Sequence, residues 1–206
     1  MRMFKRLAVA AAVAGVVLGG AAGTASAATA GSHHPSPVVR LSGGQTSLTT
    51  APGIAAALLG HGIVPLATLP ATEGVSTSGG VAVKFAFPVT GGSVNLKKLT
   101  GAVDHSGGIL FTDPATGKEI AVSDFVIDLK AAQLTAVVNG NPKERVPLLS
   151  LSLAHAKITA GKHVVCVTGI TARLTKTAAG ALDATFGTTL FTAGLELGTA
   201  STSVDF

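Results

Sequence analysis

The sequence predicts a mainly β protein with an antiparallel sandwich or barrel-like fold and two short helices. Apolar and small polar residues alternate in several segments, for example Leu149, Leu151 and Leu153 against Ser150 and Ser152. This period of two is typical of strands with one buried face. The 26 glycines and 9 prolines divide such segments into short pieces. Short strands separated by turn residues indicate a sandwich or a barrel.

The first element is an export signal. Three basic residues precede an apolar stretch from Leu7 to Leu18, which is too short to span a bilayer. Ala25-Ser26-Ala27 fits the small-x-small pattern that signal peptidase requires, and cleavage three residues later fits almost as well. We therefore predict a signal peptide over residues 1–27 and a secreted, extracellular product from Ala28 without a transmembrane anchor.

Charge and cysteine content exclude a nucleic-acid partner and an intramolecular disulfide for the predicted mature chain. The sequence has 15 basic and 10 acidic residues, and three of the basic ones precede Ala28, which leaves 12 against 10. Without a strong basic cluster, and without Tyr or Trp to stack on bases, nucleic acid is excluded as a partner. Cys166 is the only cysteine, so no intramolecular disulfide forms and the fold depends on its hydrophobic core.

The mature chain begins with a segment that carries no apolar period. Residues 28–37 are small, polar and Pro-containing, and we predict a disordered lead-in there, followed by a single β-rich domain over residues 38–206. Apolar alternation over residues 81–87, followed by the turn residues 88–92 and a second strand over 93–96, predicts a hairpin with one buried face.

The remaining strands follow the same pattern. Phe125, Ile127 and Leu129 share one face, opposite Asp124 and Asp128. Alternation and turn residues predict further short strands near residues 99–103, 108–112, 133–139, 163–168, 170–174 and 196–204.

Two segments predict helices and resemble each other. Ser47–Leu59 and Arg173–Asp183 each contain a strand ending in Leu-Thr that runs into an Ala-rich stretch. Thr is suited to cap the first turn, and Ala favours helix. We predict helices near 50–59 and 175–185, each followed by a Gly-containing turn and a strand, as a degenerate internal repeat.

From about Leu99 to the end, the order of features resembles the haem-transport-associated (HtaA-type) domain of exported proteins from high-GC Gram-positive bacteria. The stretches that carry the resemblance are Gly101–Leu110, Asp113-Pro114, Leu134–Ala136, Leu149–Leu151 and Ala172–Thr175. The resemblance implies a β-rich domain on or near the cell surface that captures haem.

The resemblance also singles out one residue. The family's pattern places a histidine at the position of His105, while its tyrosine ligand to haem iron has no counterpart, because the chain contains no Tyr. Both methionines precede Ala28, so His and Cys166 are the main axial ligands left for haem. We predict His105 as the ligand-binding residue, with weak haem binding that depends on it. A turn histidine hydrogen-bonded to nearby backbone is the alternative.

No catalytic or metal site is predicted. In Asp104-His105-Ser106 the three residues are consecutive, so in a strand the middle side chain faces away from the other two and no triad forms. The sequence therefore predicts a secreted, non-enzymatic binding or cell-envelope module without a cofactor other than haem. Its expected partners are haem or cell-envelope components. The alternative is a secreted hydrolase whose site is assembled only in the fold.

Overall fold

The computed structural model describes residues 38–76 and 82–206, and the predicted signal peptide and lead-in lie outside these ranges. The described chain contains thirteen strands and two helices. In chain order they are β1 (Val38–Arg40), β2 (Gly43–Thr50), α1 (Ile54–Gly60), β3 (Val64–Thr68), β4 (Thr72–Ser76), β5 (Ala82–Asn95), β6 (Thr100–His105), β7 (Gly108–Asp113), β8 (Lys118–Asp128), β9 (Gln133–Val138), β10 (Asn141–Ser152), β11 (Lys157–Ala160), β12 (Val164–Leu174), α2 (Lys176–Phe186) and β13 (Glu196–Asp205).

Eight of the strands close into an antiparallel barrel, which confirms the predicted fold class. The order around the barrel is β5, β2, β13, β12, β10, β9, β8 and β6, and β6 returns to β5. The other strands attach to this barrel: β1 and β4 pair with β5, β7 pairs with β8, β3 with β7, and β11 with β12. Among the described residues, no helix has the length and apolar character needed to cross a bilayer.

The barrel closes along a short seam between β6 and β8. Only three residue pairs join these strands, Ala102 with Asp128, Val103 with Ile127 and Asp104 with Val126. By comparison, eight residue pairs join β13 to β2. We call the β6–β8 pairing the seam, because it has the fewest residue pairs of the eight ladders around the barrel.

Period-two alternation places the apolar side chains inside, as predicted. Phe125 and Ile127 on β8 are buried, whereas Asp124 and Asp128 are exposed. The interior is packed in three layers. Leu58, Leu174 and Leu182 belong to the layer at the helices, Phe85, Phe87 and Phe125 to the middle, and Val94, Val165 and Val204 to the opposite end.

Both predicted helices are present and pack into the same layer of the core, but only one has the predicted cap. The Thr175 hydroxyl accepts a hydrogen bond from the Ala178 N–H at 3.2 Å and so caps α2. Helix α1 instead starts after Gly53, whose φ is 85°, without a side-chain cap. The Thr50 hydroxyl, expected near this start, accepts from the Val83 N–H at 3.0 Å.

Two predicted breaks are wrong. The expected turn at residues 88–92 lies within β5, which continues for 14 residues. A bulge between Val89 and Gly91 absorbs the glycine, and the Pro88 carbonyl accepts from the Ser106 N–H at 3.2 Å. Likewise β12 is one strand where two were expected, because its Gly169, with φ of 77°, lies in a bulge that does not end the pairing.

Candidate functional site

Three polar side chains lie together inside the otherwise apolar barrel. Thr46, His105 and Thr202 keep only 5 %, 5 % and 8 % of their surface exposed. We call them the interior trio. Buried polar groups carry a large free-energy cost unless they are hydrogen-bonded, so such a group inside a barrel calls for a structural or functional reason.

The strand registers bring the trio together. Thr46 on β2 is paired with Thr202 on β13 and with Phe87 on β5, and His105 at the end of β6 is paired with Val89 on β5. Phe87 and Val89 alternate inward along β5. Their partners therefore also point into the barrel.

The hydrogen bonds of the trio define the tautomer of His105. Its Nδ1 lies 3.2 Å from the Phe125 carbonyl oxygen on β8, and its Nε2 lies 2.7 Å from the Thr46 hydroxyl. A carbonyl only accepts, so Nδ1 carries the proton and Nε2 accepts from Thr46. The Thr46 and Thr202 hydroxyls are also hydrogen-bonded to each other. His105 thus hydrogen-bonds the backbone of β8 as well as the side chain of Thr46 on β2.

Burial favours the neutral form of the His105 imidazole. Removal from water lowers the pKa of His105 below its ordinary value of 6.5, while the hydrogen bond to the Phe125 carbonyl and the negative charge of Asp104 oppose this shift. A neutral imidazole is the form that ligates metal ions. Here its acceptor nitrogen is already occupied by Thr46, so a ligand at Nε2 must displace that hydroxyl.

The trio has part of the geometry of a hydrolytic site but not its access. A hydroxyl bonded to an imidazole resembles a nucleophile with its base, and a third group should orient the base. At His105 that third group is the Phe125 carbonyl in place of a carboxylate. The Thr46 hydroxyl is buried and shared with Thr202. This arrangement does not favour the hydrolase alternative, which needs a concave site that exposes its nucleophile.

The cavities inside the described barrel are small. Three of them have volumes of about 80, 50 and 60 Å³ with mostly apolar walls. Pockets for drug-sized ligands typically start at about 300 Å³, so none of these three admits a porphyrin without opening. A larger cleft of about 320 Å³ lies outside the barrel between α1, β3 and β4, lined in part by Leu59, Leu66 and Val75. We call it the α1–β3–β4 cleft.

Other ligating groups do not converge in the described part of the chain. No set of three or more His, Cys, Asp or Glu side chains there is placed to hold a metal ion. Cys166, which lies on β12, is half-buried, and its thiol contacts the Ser203 hydroxyl at 3.4 Å. His61, His155 and His163 are exposed, which leaves His105, among the histidines within the described ranges, as the one that the fold encloses.

Sequence reasoning identified His105 but missed its two threonine partners. Thr46 and Thr202 are separated by 156 residues, and the pairing of β2 with β13 brings them together. A usable signal was present, because Thr202 alternates with Ala200 and Val204 on the inward face of β13. A polar residue in phase with a buried apolar set is a candidate member of a buried network.

Comparison with known proteins gives a family and a fold. The HtaA family model matches residues 67–190. The crystal structure of the C-terminal domain of HtaA from Corynebacterium glutamicum superimposes with a TM-score of 0.53 at 17 % identity, covering 80 % of this chain and 99 % of that domain. The domain-swapped dimer of a variant of that domain superimposes with a TM-score of 0.48 at 18 % identity, covering 75 % of this chain and 93 % of that one. No curated protein matches the sequence.

Proposed function

This chain belongs to the HtaA family, and on that premise we propose that it is an exported, non-enzymatic module that binds haem weakly. Membership of a family of β-rich modules associated with haem transport carries the proposal. Export follows from the signal-peptide pattern over residues 1–27, and the expected site of action is the cell surface or envelope.

His105 is the proposed ligand-binding residue. Its neutral imidazole suits haem iron, and the chain contains no Tyr that would compete for this role. Two features make the affinity low. The Nε2 atom must give up its hydrogen bond to Thr46, and the small interior cavities require the barrel to open before a porphyrin reaches the ring.

In this proposal haem reaches His105 through the seam. The residue lies at the end of β6, directly after the three residue pairs that join β6 to β8. Separation of these pairs would expose the ring and leave the longer β13–β2 ladder intact. In this proposal haem binding is coupled to local opening, and the apolar walls of the barrel contact the macrocycle.

A haemin titration of the chain from Ala28 to Phe206 tests the proposal. We expect a weak, saturable Soret change that is lost in His105→Ala and kept in His155→Ala, a matched exposed histidine. His105→Gln, which retains hydrogen-bonding groups but no imidazole, should also lose it and guards against simple unfolding of the alanine variant.

The remaining outcomes are equally informative. Tight binding that is unchanged in both His105 variants would remove this residue from the site. If Leu66→Ser with Val75→Ser then abolishes the signal, haem packs in the α1–β3–β4 cleft, where both side chains are exposed. No binding by any form would remove haem and leave a cell-envelope module.

A further inference from the structure

The turn between β5 and β6 carries leucines and lysines where turns usually carry small or polar residues. Its sequence is Leu96-Lys97-Lys98-Leu99, and the two leucines keep 37 % and 46 % of their surface exposed. Strand β1 lies beside it, since Val38 pairs with Asn95 and Arg40 with Ser93. Val38 is 63 % exposed. We call Val38, Arg40 and Leu96–Leu99 the basic tip.

The backbone of the turn does not account for a leucine at position 99. Leu99 has a φ of 50°, a left-handed conformation that glycine or asparagine adopts at lower cost than a bulky side chain. The turn is already held by the Asn95 side chain, which accepts from the Lys98 N–H at 2.9 Å. Nearly half of the Leu99 surface stays in water. Neither turn geometry nor burial therefore explains this residue.

The basic tip combines its exposed apolar side chains with a cluster of positive charges. Arg40, Lys97 and Lys98 are exposed, and the tip itself contains no acidic residue. The acids nearest by strand register are Asp128, opposite Ala102, Asp104, opposite Gly91, and Asp205, opposite Gly43. Since Lys130 follows Asp128 two residues later, the local excess of positive charge remains.

We propose that the basic tip docks this protein on an anionic lipid membrane surface. Leucines that flank lysines suit the membrane interface, because the apolar side chains enter the headgroup boundary while the ammonium groups meet lipid phosphates. A soluble polyanion would engage the cations alone and leave Val38, Leu96 and Leu99 in water. The tip shares no residue with the interior trio or with the lining of the α1–β3–β4 cleft, so its test can fail while the haem proposal stands.

Vesicle co-sedimentation tests the docking surface directly. The chain from Ala28 to Phe206 is mixed with vesicles of phosphatidylglycerol and phosphatidylcholine in equal parts, or of phosphatidylcholine alone. We expect binding to the anionic vesicles. Each lysine near such a surface contributes about fivefold to partitioning, so Lys97→Gln with Lys98→Gln should lower it about 25-fold at low salt. Leu96→Ser with Leu99→Ser should lower it roughly tenfold and remain effective at high salt.

A matched control lies at the other end of β5. The exposed fraction of Leu66, 39 %, is similar to the 37 % of Leu96, and Lys84 is exposed as well. Leu66→Ser with Lys84→Gln should therefore leave vesicle binding unchanged. Thermal unfolding checks that each variant is folded. The proposal is overturned if the anionic vesicles do not bind the protein, or if the tip variants bind like the parent. Loss of vesicle binding on removing the lysines alone, with the leucine variant unaffected, would overturn insertion of the tip into the membrane and leave a purely electrostatic contact with anions.

Discussion

His105 holds hydrogen bonds to two strands other than its own. Nε2 reaches Thr46 on β2, and Nδ1 reaches the Phe125 carbonyl on β8. Each bond alone contributes only about 1 kcal/mol net to folding, but a buried partner left unpaired costs about 1–3 kcal/mol. The contribution of this histidine to stability therefore depends on its complete set of partners.

The first residue-level prediction concerns Thr46→Val, which keeps the shape of the side chain and removes the hydroxyl. The His105 Nε2 acceptor and the Thr202 hydroxyl would both lose a buried partner. We expect the free energy of unfolding to fall by about 1–3 kcal/mol in urea titrations. Thr199→Val, on an exposed position of β13, should stay within about 0.5 kcal/mol. Equal stability of the two variants would contradict a satisfied interior network.

The second prediction concerns pH. Burial lowers the folded-state pKa of His105 below 6.5, so between the lowered value and 6.5 the unfolded chain binds more protons than the folded one. The free energy of unfolding must then decrease as the pH falls through this window, and the loss is complete below the folded pKa. His105→Gln should flatten this slope. Because both proteins retain Asp104 and the exposed histidines, their difference isolates His105; identical slopes would contradict the prediction.

At the scale of elements, the local alternation of apolar residues predicted where strands lie but not where they end. Alternation located β8 and β13 because one face of each packs in the barrel. The breaks expected at 88–92 and before Ile170 failed because glycine also serves bulges within a continuous ladder. Only part of the candidate site could be predicted, since His105 has a local sequence context whereas Thr46 and Thr202 meet through the pairing of two strands far apart in the chain.

Gly107 tests how tightly two elements pack, because the loop after His105 approaches the β3–β4 turn closely at this residue. Its φ is 84°, and a Cβ there would lie 2.5 Å from the Ala71 nitrogen and 2.9 Å from the Thr68 carbonyl oxygen. Gly107→Ala should therefore cost about 2–4 kcal/mol, through both the conformation and the clash with backbone.

Gly117→Ala is the matched control for Gly107→Ala. Gly117 has a φ of 69°, but no atom lies within 4 Å of the position that a Cβ would take, so only the conformational cost of about 1 kcal/mol should appear. Chemical denaturation of both variants separates the two contributions. A similar loss in both would mean that the β3–β4 turn moves away from Gly107 at little cost.

At the scale of the whole molecule, the strand ladders that close the barrel differ in their number of residue pairs. Eight residue pairs join β13 to β2, whereas three join β6 to β8 at the seam. The eight barrel strands have no free edge, whereas the attached strands β1, β3, β4 and β11 each pair with one described strand. The shortest ladder of the barrel is where opening should begin. His105 reinforces that ladder, since its bond to the Phe125 carbonyl runs from β6 to β8.

The last prediction follows from this reinforcement and is measured by amide hydrogen exchange. In the parent protein, the amides within residues 102–104 and 126–128 that bond across the seam should exchange faster than those within 43–50 and 198–205, because opening the seam breaks fewer pairs than unfolding the barrel. Removing the imidazole in His105→Gln should accelerate exchange at the seam selectively and leave the β13–β2 ladder protected. A uniform increase over all eight strands would instead mean that His105 stabilises only the global fold, and the proposed entry of haem through the seam would lose its physical basis.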